Sequence, residues 1–582
     1  MSLFGSNYKA YINLAIFSCL WMTFVLLAPE RHYYDFLYHY SWSSSFSAQF
    51  WSGEFYPRWL QGLYDGMGDP VFFYYPPIAY WFTALFYPLA QLDPTDFLLL
   101  NTAGLVALFL SGVSCYHWLI RHTTPKAALI GALIYIWFPS RMWFEYSFVF
   151  LYSQHLSYIL LPLIMMCMED LLAGRKGGIM RYGFFQGLLI LTSVPITIIF
   201  SGLPLLYAAL ITPWQRYAKL VRPIVTALLI ALGLSAIFWL PQQAYLPYIS
   251  STDIWKNPAY PFHYSHSFIG MNINRTDMDL TPEYVIISFF TILFIIALAG
   301  LRLRRNTSPI VKRWLGLCGV CIIMMLPISQ PLWDTLPLLQ TTQRPWRFFV
   351  PLCLFSASLF ATSWGQQPAS AAKKWEMAFH RIWTRLLPLT LVISATIFFH
   401  FHTTVQLIRP ADMPYIFDTK TQLAPAFMPK TVPHEKLYDN FTTFNSQKLR
   451  RFYEAHEQVL PINCAYSDPA TIKILQWDAR EIKLSVPRAM QSCVIEIRQF
   501  YFPGWQAALD GELLVTEPSM ARGKIRIALP ERLPSDMNVI TLRLQALWPE
   551  QVGAGLSLLT SLGLLLYAGI KSRGRVSKPT ST

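Results

Sequence analysis

A chain of 582 residues that is 54% hydrophobic and only 13% charged, with a mean hydropathy of +0.35, carries too many long apolar runs to be a soluble globule. Its formal net charge of +14 does not make it a nucleic-acid binder. The basic residues fall in short clusters between apolar runs, as the cytoplasmic loops of membrane proteins require, which leaves a polytopic α-helical membrane protein.

The first apolar run, Tyr8 to Ala28, is followed by Pro29, Glu30 and Arg31 instead of a small-residue cleavage pattern, and so reads as a retained helix. An outer loop, 29–97, follows. Further runs predict spans at Leu98 to Ile120, Ala127 to Pro139, Phe150 to Met168, Phe184 to Pro195, Ile198 to Ile211, Pro223 to Leu240, Tyr284 to Leu301, Leu315 to Ile328, Phe348 to Trp364, Leu386 to His402 and Val552 to Ile570. With the first, that makes about twelve. Val71 to Ala90 is left out of the count because Pro76 and Pro77 at its start suit an interfacial or re-entrant piece. Phe184 to Ile211 reads as two short helices with a bend near Pro195.

Lysine and arginine set the orientation. Clusters at 121–126, 175–181, 216–222, 302–313, 373–385 and 571–578 belong in the cytoplasm with both termini. The cytoplasmic loops are then too short for a nucleotide-binding domain, and the roomy face lies outside.

The chain changes character after about residue 405, where TIKILQW, REIKLSV, CVIEIRQFY, KIRIALP and NVITLRLQA alternate apolar and polar residues with the period of half-buried strands. WQAALDGELLV reads as a hairpin turning on Asp510-Gly511. We therefore expect a transmembrane domain over 1–404, an external β-sandwich of about seven strands over 405–551, and a final helix with a basic tail over 552–582. A helix near Arg450 to Glu457 is the one element expected in the irregular stretch before the strands. Six of the eight cysteines lie in predicted helices as packing residues, while Cys464 and Cys493 fall in the external domain and suggest one disulfide, worth roughly 2 to 4 kcal/mol.

The outer loops carry the chemistry. HYYDFLYHY, EFYPRW and GDPVFFYYPPIAY place Asp35, His39, Arg58, Asp65 and Asp69 against the membrane face, where charge is expensive and marks function by default. Asp35 is the base candidate, because partial desolvation raises a carboxylate toward useful pKa values, and His39 follows at the spacing that shares its helix face. The alternative is an interfacial aspartate with a hydrogen-bonded histidine. Glu145, four residues after Arg141 in the second outer loop, is the second acid, or else one half of a salt bridge closing a helix end. Arg344 and Arg347 flank Pro345-Trp346; forked guanidiniums suit phosphate and Trp346 suits a lipid chain, although an aromatic-belt anchor has the same composition. Arg58 is a weaker third donor. Asp65 and Asp69 are weak candidates for holding magnesium or manganese, the glycines around them suiting a simple turn equally well. His263 and His266 in PFHYSHSF suit surface histidines as readily as a ligand pair.

YDFLYH, FYPRW, GDPVFFYYPPIAY, SRMWFE and QRPWRFF resemble the GT-C superfamily of polyprenyl-phosphate-sugar glycosyltransferases, and FPGWQAALDGE looks like the external β-domain of its bacterial multispanning members labelled 6-pyruvoyl-tetrahydropterin-synthase-related or membrane glycosyltransferase-like. That resemblance implies a multi-pass enzyme of the bacterial inner membrane, a lipid-phosphate sugar donor, an acidic residue in the first outer loop and often another in the second, and a single inverting displacement. The acceptor would be a glycan, lipid or protein, with membrane lipids around the chain and no nucleic acid; no cofactor is implied with certainty, and a divalent cation, magnesium or manganese, stays open because metal dependence varies in the superfamily. Where family members often have a histidine in the bent helix pair this chain reads LTSVPITII, so no role is carried over there. A lipid-linked glycan flippase and a membrane-anchored glycan-binding protein are the rival readings.

Overall fold

The computed structural model describes residues 7–26, 35–64, 66–90, 97–148, 150–249, 263–269, 308–365, 431, 438–440, 443–444, 458–462, 464, 472–519 and 523–576. The chain divides into two compact units, one of Met1–Phe36, Leu92–Leu229 and Pro261–Met413 and one of Leu37–Gln91, Ile230–Tyr260 and Pro414–Thr582.

Among the described residues six helices are long and apolar enough to cross a membrane: Leu98–Leu119, Tyr152–Leu172, Val194–Ile211, Trp214–Tyr248, Pro345–Gly365 and Trp548–Gly569. A seventh arises if Pro309–Met325 and Pro327–Thr335, bent by 83° at their junction, form one broken span. Of the twelve or so spans expected, ten fall on described residues, and there the count is corrected to six or seven. The predicted spans at 284–301 and 386–402 and the helix expected at 450–457 lie outside the described residues. The first predicted span forms the helix Tyr8–Leu26. Two others are too short: Pro125–Ile136 has 12 residues and Gly178–Ile190 has 13, or roughly 18–20 Å against a hydrocarbon core of about 30 Å.

Local chemistry sets these lengths. Thr124 caps Pro125–Ile136 by accepting from the Ala127 N–H, with Pro125 in the first turn, and Pro139 stands just past the other end, where the preceding residue resists helical geometry. The chain breaks at 191–193 and restarts with Pro195 in the first turn of Val194–Ile211. Val71–Ala90 is cut by its prolines into the 3-10 turn Val71–Phe73 and the helices Ile78–Ala84 and Tyr87–Ala90, of seven and four residues, none long enough to cross.

In the first unit, Phe97–Leu119 packs along Tyr152–Leu172, and Pro125–Ile136 packs on Phe349–Gly365. The second contact is close: a Cβ on Gly131 would lie 2.8 Å from Ala361 and 3.1 Å from the Ala357 carbonyl oxygen. The buried Trp118 indole donates to Ser358 at 3.0 Å. At the far end of Tyr152–Leu172, the Asp170 carboxylate takes Arg121 at 3.0 Å, Arg175 at 2.7 Å and Arg181 at 2.8 Å. Two basic loops expected on one side from their charge thus meet on one acid.

The second unit holds the strands. A short pair, β1 (Tyr438–Asn440) and β2 (Thr443–Phe444), precedes two antiparallel sheets. β3 (Val459–Ile462), β6 (Val494–Phe500), β10 (Lys524–Ala528) and β9 (Thr516–Pro518) form one in that order. β4 (Lys473–Trp477), β5 (Glu481–Pro487), β11 (Met537–Leu544), β7 (Trp505–Leu509) and β8 (Glu512–Leu514) form the other. Among the described residues, sheets of four and five strands stand where about seven strands in all were expected. Alternate residues are buried, Ile482, Leu484, Ile540 and Leu542 from one sheet and Ile495, Ile497, Ile525 and Ile527 from the other. β7 and β8 turn on Asp510 (φ 50°) and Gly511 (φ 91°), the positive angles of a tight hairpin. Cys464 and Cys493 are joined in a disulfide. Of the remaining cysteines, Cys115, Cys167, Cys318, Cys321 and Cys353 are buried and Cys19 is exposed.

First-loop residues belong to this same unit and pack on its strands. Trp59 meets Trp505 edge-on at 5.6 Å, Tyr64 meets Phe500 at 5.6 Å, and the Phe500 N–H donates to the Met67 carbonyl at 2.8 Å. The final helix, Trp548–Val576, crosses the Tyr217–Tyr245 helix within this unit through small residues. A Cβ on Gly553 would come 2.5 Å from the Ala236 carbonyl oxygen, and the Ser557 hydroxyl accepts from the Ile237 N–H at 2.8 Å while donating to the Gly233 carbonyl at 3.2 Å. Pro241 has no N–H to give the Ile237 carbonyl. Arg58 Nη2 supplies the bond at 2.8 Å.

Candidate functional site

The first unit gathers its functional candidates at the end of Tyr152–Leu172 opposite the Asp170 cluster, about 30 Å away along a helix of this length. Ser140–Phe148, within the segment expected to be the second outer loop, is a π-helix, a geometry rare in general and frequent at functional sites. It closes at Phe150, whose φ of 62° is a strained value for a bulky residue. That turn lets the Leu151 N–H reach back six residues to the Glu145 carbonyl at 2.7 Å. Three rings hold Phe150 in place: Tyr146 at 5.0 Å, Tyr152 at 5.9 Å and Phe36 at 4.8 Å.

Glu145 is 1% exposed, and the Tyr158 hydroxyl donates to its Oε2 at 2.9 Å. Its Oε1 is buried and has no hydrogen-bond partner within range among the described residues. Burial pushes the carboxyl up to about 7, while Gln154, Tyr158, Arg141 and Arg347 all oppose that rise. Arg141, also 1% exposed, does not form the i,i+4 salt bridge with Glu145; no ion pair joins them among the described residues. Its guanidinium lies over the Tyr158 ring at 4.0 Å and donates to Ser111 at 2.9 Å and to the Tyr135 carbonyl at 3.3 Å. The pair is therefore two separately anchored charges flanking one tyrosine. His155, which sequence reasoning passed over, stands in the same wall, stacked on Trp21 at 6.2 Å and 4.6 Å from the Tyr146 ring. It lies three residues, close to one helical turn, before Tyr158, a spacing visible in YSQHLSY.

Arg344 and Arg347 belong to this unit. Arg344 is buried and donates to Ser267 at 2.8 Å. Arg347 donates from Nη1 to the Thr342 carbonyl at 2.9 Å, lies 5.9 Å from the Trp346 ring centre, and is near enough to Glu145 to favour its ionisation. Trp346 is itself buried. Gln343, at φ 66°, turns the chain into this motif. Asp35 precedes the helix Phe36–Trp51 and is half-buried; its neighbour Phe36 is the ring that packs on Phe150. His263, with Nδ1 2.8 Å from the Ser265 hydroxyl, opens a 3-10 turn that also contains His266.

The other candidates belong to the second unit. His39 is buried among Trp42, Tyr75 and Tyr80, with Nδ1 2.6 Å from the Tyr80 hydroxyl, and burial drives its pKa down to about 3, so it is a neutral imidazole. Arg58 lies 4.3 Å over Tyr56 and 3.7 Å from Glu550, whose other oxygen accepts from Tyr245 at 3.1 Å. Asp69 is fully buried, pairs with Leu60 in an isolated bridge and accepts from the Val71 N–H at 2.9 Å. Burial raises its carboxyl to about 8, against hydrogen bonds from Val71, Trp42 and Tyr64. Asp65 lies outside the described residues. Among the described residues no group of three or more histidine, cysteine or acidic side chains is placed to hold a metal ion. No family model and no curated protein matches this chain.

Proposed function

We propose that the protein is a membrane glycosyltransferase that moves a sugar from a polyprenyl-phosphate donor to an extracytoplasmic acceptor. The observation that carries this reading is Glu145: a carboxyl 1% exposed, held near neutrality between two anchored arginines on a strained π-turn at one end of an apolar bundle. A charge kept at that depth is costly and is retained for chemistry. Apolar spans with no large domain among the described loops of their unit favour a donor that travels in the lipid, and nearby guanidiniums suit its phosphate.

In this reading Asp35 takes the proton from an acceptor hydroxyl as that oxygen bonds to the anomeric carbon. The bond from that carbon to the phosphate oxygen breaks with its electron pair, leaving polyprenyl phosphate and an inverted glycosidic bond. Arg347 and Arg344 meet the charge gathering on the phosphate, where preorganised donors act most strongly. Glu145 and Arg141 orient the sugar. Purified protein incubated with a panel of polyprenyl-phosphate sugars should release polyprenyl phosphate from at least one; a panel that stays intact under every acceptor tried overturns the reading. A lipid-linked glycan carrier is the second reading, favoured by a carboxyl titrating near pH 7. It would move labelled donor across proteoliposomes without releasing lipid phosphate.

A further inference from the structure

The second unit exposes a compact apolar patch that the proposed reaction does not use. Trp51 at the end of the helix Phe36–Trp51, Phe55 in the turn beyond it, and Leu85 and Leu89 around the helix Tyr87–Ala90 are exposed by 55%, 74%, 65% and 36%. They form one surface. The Trp51 indole donates to the Ala84 carbonyl and the Trp81 indole to the Phe55 carbonyl, each at 2.8 Å, while Phe50 packs on Phe55 at 5.8 Å and Phe82 on Phe86 at 5.5 Å. Both indoles thus spend their N–H groups on backbone, so the exposed Trp51 ring can enter an apolar phase without carrying an unsatisfied donor with it.

The patch is also uncharged. Val71–Ala90 contains no acidic or basic residue. The one charge in the turn, Glu54, pairs with Arg480 and accepts from Gln49 at 2.9 Å.

A chain of contacts ties this surface to the membrane. Trp81 meets the Tyr56 ring at 5.1 Å, Arg58 lies 4.3 Å over Tyr56, and Arg58 reaches Glu550 in the first turn of the final helix. That helix is only 11% buried over its apolar window and begins at Trp548, itself 66% exposed. The patch is thus tied, through two ring contacts and an ion pair, to the point where the final span enters the bilayer. Tryptophan at that depth is characteristic of the interface.

We infer that Trp51, Phe55, Leu85 and Leu89 form a monotopic insertion surface, dipping into the lipid leaflet at which the Trp548 end of the final helix enters. Its partner is the acyl-headgroup boundary of that leaflet, into which such faces sink about 5–10 Å. The inference holds whatever reaction the chain performs.

The test uses full-length protein in phosphatidylcholine/phosphatidylglycerol nanodiscs, with Cys19→Ser to remove the exposed thiol and an environment-sensitive fluorophore on Phe55→Cys. Leu85→Cys serves as a second site should the first fold poorly, and Leu513→Cys, at an exposed position in β8 of the same unit (72% exposed in the native chain), is the reference. Labels at 55 and 85 should emit to the blue of the label at 513 and be quenched by lipids bearing a nitroxide near the headgroup, with little quenching by aqueous iodide. Iodide quenching equal to that at 513 would overturn the inference. So would protection from both quenchers that disappears on diluting the protein in lipid, the signature of a second copy covering the patch.

Discussion

Glu145 and Asp69 are both carboxyls taken out of water, and their partners separate their roles. Asp69 is enclosed by Val71, Trp42 and Tyr64 with no basic residue among its influences, which suits a turn held by a neutral acid. Glu145 has two arginines acting on it, which suits a group poised between states. Because burial raises Asp69 from 3.8 to about 8, the folded protein binds its proton where the unfolded chain releases it. Stability from this site is therefore full below about pH 4 and declines as pH rises toward about 8. Asp69→Asn should unfold at a temperature that gains on the wild type steadily across that window and levels off above it, measured by thermal scans in detergent. A difference independent of pH would mean Asp69 titrates normally. For catalysis, Asp35→Asn should leave expression and donor binding intact while lowering turnover by about a hundredfold, the scale of losing a positioned base. Equal turnover excludes Asp35. Arg347→Lys keeps the charge and loses the fork, so it should weaken donor use more than the same change at Arg31, and Arg347→Ala should also slow cleavage. If Arg347 only anchors the loop, both changes would alter yield or thermal stability at constant turnover per folded molecule, a distinction read from donor titrations on size-matched samples.

At the level of elements, the contact between the final helix and Tyr217–Tyr245 is where close approach does the most. The Ser557 hydroxyl bridges the Gly233 carbonyl and the Ile237 N–H, groups four residues apart that a helix ordinarily joins directly, and Arg58 serves the carbonyl that Pro241 leaves open. Small residues permit this. Gly553→Ala drives a methyl to 2.5 Å from the Ala236 carbonyl oxygen, backbone that cannot rotate away, so it should cost about 1–3 kcal/mol, as overpacking does. Gly563→Ala, with nothing within 4 Å, should be neutral or slightly stabilising through its helix propensity. Equal unfolding midpoints for the two variants would show that the helices do not approach this closely in the membrane.

For the whole molecule, topology is the governing expectation. Asp170 draws Arg121, Arg175 and Arg181 to one end of Tyr152–Leu172, while Arg141 and Glu145 stand at the other. With the basic end inside by charge bias, labels at Thr123, Gly177 and Ser308 should be cytoplasmic, and labels at Ser467 and at Gly62, exposed in the first loop with room for a side chain, should be external, as read by impermeant thiol reagents on whole cells. A cytoplasmic Gly62 would turn the proposed reaction to the wrong face.

Much of the local structure was legible in one dimension because it depends on near neighbours. Alternation marked the strands, Asp510-Gly511 marked the hairpin, and prolines marked both the break before Val194 and the failure of Val71–Ala90 to cross. The span count was not legible: apolar runs at 127–139 and 184–195 look like short spans, and only capping and packing decided that Pro125–Ile136 and Gly178–Ile190 stop after 12 and 13 residues. The same limit applies to charges. EFYPRW and SRMWFE flag costly residues near a membrane, but Arg58 pairs with Glu550 and Arg141 bypasses Glu145 for Ser111 and Tyr135. By itself the sequence determined which segments are apolar, which are strands, and which residues carry charge to the membrane face, since these follow from composition and period. Only the tertiary structure decided which of those charges are spent on each other and which are held apart beside a strained turn, because a partner distant in the chain leaves no local trace.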